Sequence, residues 1–167
     1  MNAINTEDRA EYIASCKQGT AQEDAIIAQA RDILEKRLYK TENFKTSCPD
    51  NTKSFLALSL AEREHEIFGV LFLNNQHELI ENVELFRGTI DGASVYPREV
   101  VKAALECNAA AVIFYHNHPS GLCEPTQADK TITRKLKTAL ETVEIRSLDH
   151  IIVAKTTTYS FAEAGLI

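Results

Sequence analysis

The sequence contains no apolar run long enough to cross a bilayer, and no signal-like apolar segment opens it. The expectation is a soluble, cytoplasmic protein with no membrane contact. Positive charge is in deficit, with 18 Lys and Arg against 24 Asp and Glu for a net charge of −6. That balance argues against broad affinity for nucleic-acid phosphates. Cys16, Cys48, Cys107 and Cys123 are scattered and include no C-x-x-C pair. The deaminase kind of zinc site is therefore missing half its ligands, and reduced thiols are expected over a disulfide framework. There is no internal repeat and no low-complexity segment. What remains is a chain of 167 residues, 44% hydrophobic, sufficient for one domain with a substantial core and a small appendage.

The appendage is read as residues 1–45, polar and helical in pattern. Thr6-Glu7-Asp8 can open a short helix through Cys16. After Gly19, Thr20-Ala21-Gln22-Glu23 forms a capping box for a second helix. Ile26, Ile27, Ala30, Ile33, Leu34 and Leu38 recur at helical spacing and predict one apolar stripe. The stripe is expected to pack on the main domain, with a homo-oligomer or partner contact as the alternative. Thr41 to Thr52 reads as a linker whose turn is Ser47-Cys48-Pro49-Asp50-Asn51.

The main domain is read as residues 46–167. A short helix from about Thr52 to Leu60 precedes a strand from Glu64 to Leu73, which turns at Asn74-Asn75-Gln76. A second strand runs from Glu78 to Ile90 and is interrupted near Gly88. Pro97 suits the first turn of a helix to about Cys107. A further helix from Thr126 to about Thr142, a strand from Glu144 to Ala154 and a last one from Thr158 to Phe161 complete the pass. This meander with helices between strands predicts a mixed α/β (α+β) domain with a central sheet flanked by helices.

The chain is organised around Val112 to Arg134. Val112-Ile113-Phe114-Tyr115 reads as a buried strand, followed directly by His116 and His118. Residues i and i+2 of an extended backbone point the same way, so both imidazoles can face one point. Pro119 and Gly121 stop the strand, and Thr126 can cap the helix after Pro125. Asp129 lies in that helix's first turn, where its dipole favours a carboxylate. Two His and one Asp suit zinc and leave a fourth position for water. Thr126-Gln127-Ala128-Asp129 is equally a capping box needing no metal, and the two roles are compatible. Cys123 in the same loop is read as a solvent-facing thiol rather than a ligand, and Glu124 as an exposed carboxylate.

His116-Asn117-His118, seven residues, Thr126, two residues and Asp129 resembles the JAMM metalloprotease signature. The string HNHPSG, with PREVV upstream and LDHIIV downstream, is similar to the RadC-like JAB domain family, and the chain's length to its short, YeeS-type members. The similarity runs from about Ser54 to the C-terminus. It implies a JAB/MPN fold, a zinc ion held by His116, His118 and Asp129, and hydrolysis of a peptide or isopeptide bond in a peptide or protein substrate. Glu66-Ile67-Phe68-Gly69-Val70-Leu71 resembles the element carrying the catalytic Glu of JAMM proteins, so Glu66 is expected to take the proton of the attacking water. Glu64 is its rival on the same strand face.

Thr126 stands where the family usually has Ser, and is expected to hydrogen-bond the developing oxyanion, with Ser120 as the alternative hydroxyl. His150 belongs to the family-like string but not to the metal signature, and a packing or ligand-supporting role is expected of it. The resemblance also carries two alternatives, a non-catalytic MPN-type binding module and a DNA-repair or recombination accessory, as the RadC label has it. Residues 1–45 show no hairpin glycine motif of the DNA-binding kind.

Overall fold

The computed structural model describes residues 20–39, 49–61, 63–88 and 95–167. The short helix expected before Cys16, and most of the linker from Thr41, lie outside them. The described chain runs α1 (Ala21–Tyr39), α2 (Pro49–Leu60), β1 (Ile67–Leu73), β2 (Leu79–Arg87), α3 (Pro97–Glu106), β3 (Ala111–Asn117), α4 (Gln127–Glu141), β4 (Arg146–Ala154) and β5 (Thr157–Ser160). The five strands form one sheet in the order β2-β1-β3-β4-β5. β3 and β4 are parallel, joined through α4, and the other neighbours are antiparallel.

β1 and β3 sit at the centre, and every residue of both is buried. Continuous apolar strands need both sheet faces covered, and α2 covers one while α3 and α4 cover the other. On the α2 side, Phe55, Leu56 and Leu60 meet Ile67, Leu71, Ile113 and Tyr115. On the opposite side, Val100, Ala104, Leu136 and Leu140 meet Phe68, Val70, Val112 and Phe114. Strand alternation sorts the residues: even positions of β1 and β3 face α3 and α4, and odd positions face α2. Gly69 is the exception in β1. It lies across from Tyr115, and a Cβ on it would overlap that ring.

Four boundaries depart from the sequence reading. α2 begins at Pro49, not near Thr52, because a proline that looks like a turn residue is also well suited to a helix's first position. β1 begins at Ile67, after a bend at Glu64 and His65. β2 ends at Arg87, and positions 89–94 are outside the described residues. β3 runs on through His116 and Asn117, so the first histidine belongs to the sheet and not to the loop. The apolar stripe of α1 is only partly covered. Leu34 packs on the α2-side core, whereas Ile26, Ile27 and Ile33 are exposed. Among the described residues, no helix is long and apolar enough to cross a membrane.

Candidate metal centre

The end of β3 delivers His116, and the turn after it delivers His118, whose backbone N–H still bonds Val153 of β4 at 2.8 Å. The chain then reverses through Gly121, at φ +83°, and enters α4. Thr126 caps that helix: Asp129 N–H donates to Thr126 Oγ1 at 3.2 Å, and Thr126 N–H donates to Asp129 Oδ2 at 2.7 Å. The capping box thereby fixes the Asp129 carboxylate over the strand end. Its Oδ1 lies 3.3 Å from His116 Nε2 and its Oδ2 3.6 Å from His118 Nε2. The two Nε2 atoms are 2.9 Å apart. Among the described residues, His116, His118 and Asp129 form the one group whose ligand atoms converge in this way, all within 4.8 Å of one another.

The surrounding hydrogen bonds decide which nitrogens carry protons. Thr133 Oγ1 donates to the Asp129 carbonyl at 2.6 Å, so it must accept from His150 Nδ1, also at 2.6 Å. His150 is fully buried, and burial, with repulsion from His116, holds its pKa well below the ordinary value. Being neutral with its proton on Nδ1, it offers Nε2 to the Nδ1–H of His116, 2.8 Å away. His118 Nδ1–H donates to the Leu122 carbonyl at 2.7 Å. In their neutral forms both imidazoles thus aim an unprotonated Nε2 at the same point as a carboxylate. Lone pairs this close repel unless a proton or cation lies among them. In the absence of metal a proton serves: the hydrogen bond with Asp129 raises the His118 pKa despite burial. Burial works to raise the Asp129 pKa, yet the His116 and His118 imidazoles beside it leave it far below the carboxylate range.

A donor set of two neutral imidazole nitrogens and a carboxylate, each oriented by a further hydrogen bond, fits zinc. Phe68 stacks on His116 at 6.3 Å and Phe161 on His150 at 4.8 Å, so apolar rings fix the imidazole planes.

The other residues singled out in the sequence fall as follows. Glu66 is half-buried and directly precedes β1. It is near enough to His118 for its charge to favour the imidazolium. Glu64 and Glu124 are exposed. Thr126 donates its one hydroxyl proton to Asp129 Oδ2 at 2.6 Å, so here it serves the carboxylate. Ser120 Oγ accepts from Leu122 N–H at 3.4 Å, which leaves its own proton for another acceptor. Cys123 is half-buried rather than solvent-facing, with Sγ 3.5 Å from the Ile152 carbonyl, and it is not part of the converging set. Burial raises its pKa and makes it less reactive. His150 supports His116 and does not join the set. Thr133 escaped the sequence reading, although its place four residues after Asp129 on one helix face was a signal for it.

A central mixed sheet between helical layers, with His-x-His at the end of its middle strand and Asp in the next helix, defines a JAB/MPN-type domain with a candidate metal centre. The chain belongs to the RadC-like JAB domain family, whose model matches residues 46–166. It is 58% identical over 145 residues to a UPF0758 protein of Vibrio cholerae serotype O1, covering 87% of this chain and 90% of that one. A UPF0758 protein of Marinobacter nauticus is 46% identical over 170 residues, covering 100% of this chain and 75% of its own length. A third, from Methylibium petroleiphilum, is 52% identical over 143 residues, and the match spans 86% of this chain and 64% of that relative.

Proposed function

We propose that the chain is a zinc-dependent hydrolase of peptide or isopeptide bonds. The observation that carries this reading is the convergence of His116 Nε2, His118 Nε2 and an Asp129 oxygen, with both imidazole tautomers set by Leu122 and by the His150–Thr133 relay. Zinc held by these three residues would supply a water whose pKa is about 7 and would polarise a substrate carbonyl.

The chain's own residues supply the rest. Glu66 accepts the proton of the attacking water and hands it to the leaving amine. The Thr126 proton must leave Asp129 before it can reach an oxyanion, so Ser120 is the readier donor of the two hydroxyls. A peptide or protein substrate would approach past the loop, where Leu122 is 73% exposed. On the same reading the protein works in a reducing cytoplasm, in which Cys107 and Cys123 stay as thiols. The test is a peptide and isopeptide library, read by mass spectrometry, with zinc-loaded wild type and Glu66→Gln side by side. Cleavage by the wild type that fails in the variant supports the proposal. A library untouched by fully zinc-loaded wild type contradicts it and leaves a binding module on the same fold.

A further inference from the structure

We propose that Asn117, between the two histidines, is a positioning residue for Glu66. The inference rests on the reading of Glu66 as the proton carrier. Asn117 is the last residue of β3 and is only 3% exposed. Its Oδ1 accepts from the Ile67 N–H at 2.8 Å, and its Nδ2 donates to the His65 carbonyl at 3.0 Å. These are the peptide groups on either side of Glu66.

The β1–β3 backbone pairing reaches its end at Phe68 opposite His116. One step further, antiparallel register would set Ile67 against Asn117, and the next would set Glu66 against His118. The Asn117 amide takes over at that step, presenting one acceptor and one donor as a peptide group would. On the other flank, Gly88 N–H donates to the Glu66 carbonyl at 2.8 Å. Residues 65, 66 and 67 are therefore each tied through their backbone, and the Glu66 side chain departs from a fixed Cα.

The residue type follows from this geometry. Asp at position 117 would keep the acceptor and lose the donor, Ser is too short to span both groups, and Ala offers neither. The strand pleat that turns His116 and His118 to one side leaves position 117 to reach β1. The two histidines and the carboxylate thus share one rigid frame, which matters because a displacement of about 1 Å can cost about 100-fold in rate.

The test uses the full chain, wild type beside Asn117→Ala and the isosteric Asn117→Asp. Amide exchange by NMR should show Ile67 exchanging about tenfold faster or more in Asn117→Ala, as expected for a lost buried hydrogen bond. His118 N–H and zinc content should be unchanged. In zinc-loaded enzyme, Asn117→Ala should lower kcat with KM nearly constant. In a Glu66→Asp background, whose shortened carboxylate is already misplaced, the same substitution should add little. If Asn117→Ala fails to fold, Asn117→Asp carries the test, with Ile67 still protected and kcat reduced. Unchanged Ile67 exchange in Asn117→Ala, additive losses in the double variant, or full kcat in Asn117→Asp would each overturn the proposal. If zinc-loaded wild type cleaves nothing, the hydrolase reading fails, and Ile67 exchange alone decides whether the clamp exists.

Discussion

Thr133→Val removes one hydroxyl from a buried site and changes the volume hardly at all. The consequence follows from the relay. Thr133 is 1% exposed, donates to the Asp129 carbonyl and accepts from His150 Nδ1. Loss of the donated bond matters little, since that carbonyl lies in a helix. Loss of the acceptor strands a donor on a fully buried, neutral imidazole. Two relaxations are open. The His150 Nδ1–H can stay unsatisfied, which costs about 1–3 kcal/mol of stability. Alternatively His150 moves its proton to Nε2, which then donates to His116 Nδ1 and puts the His116 proton on Nε2, the atom that must face a metal. Partners that orient metal-binding histidines are typically worth 10- to 100-fold in affinity, or about 1.4–2.8 kcal/mol.

The assay is therefore double: urea unfolding of the metal-free protein, and zinc competition against a chromophoric chelator. At least one of the two should fall by about 1 kcal/mol or more in Thr133→Val, and Thr133→Ser should restore both. Wild-type stability together with wild-type zinc affinity in Thr133→Val would refute the relay.

Glu66→Gln should keep zinc and lose hydrolysis by about 100-fold or more, the usual contribution of a general base, as measured by initial rates on a cleaved peptide. Gly69→Ala should destabilise by about 1–3 kcal/mol in urea unfolding, because its methyl meets the Tyr115 ring in a fully packed strand pair. Zinc uptake should be weaker at pH 6 than at pH 8 and should begin to weaken above pH 6.5, the ordinary histidine value, because the His118 pKa is raised and a proton must leave before metal enters. Isothermal titration in buffers of different ionisation enthalpy would show proton release near neutral pH. In the metal-free protein the sign reverses. The His118–Asp129 pair stabilises fully between about pH 3.8, the ordinary carboxylate value, and about pH 6.5, and that contribution is lost as pH rises through the raised His118 value.

The sequence made the sheet's centre legible because β1 and β3 are unbroken apolar runs, and period and length alone suffice for those. It made the convergence of His116, His118 and Asp129 legible because the i and i+2 rule for the two histidines is local, and Asp129 sits at a fixed offset from its cap. Boundaries were read less well where one residue type serves two purposes, as Pro49 does at a turn or a helix start. The relay and the clamp were illegible for a different reason. Thr133 and His150 meet only through the pairing of α4 with β4, and Asn117 meets His65 and Ile67 across 52 and 50 residues of chain. A hydrogen bond of that span has no signature in spacing. Similarly, the exposed isoleucines of α1 follow helical periodicity, which shows that a face exists but not what covers it.

On the proposed reading, this fold gathers His116, His118 and Asp129 to hold a zinc ion. Elemental mass spectrometry on protein purified without a His tag, beside the His116→Ala/His118→Ala double variant, tests it directly. About one zinc per wild-type chain and none in the variant is expected. Absence of zinc from both, with none taken up on reconstitution at pH 8, would contradict it.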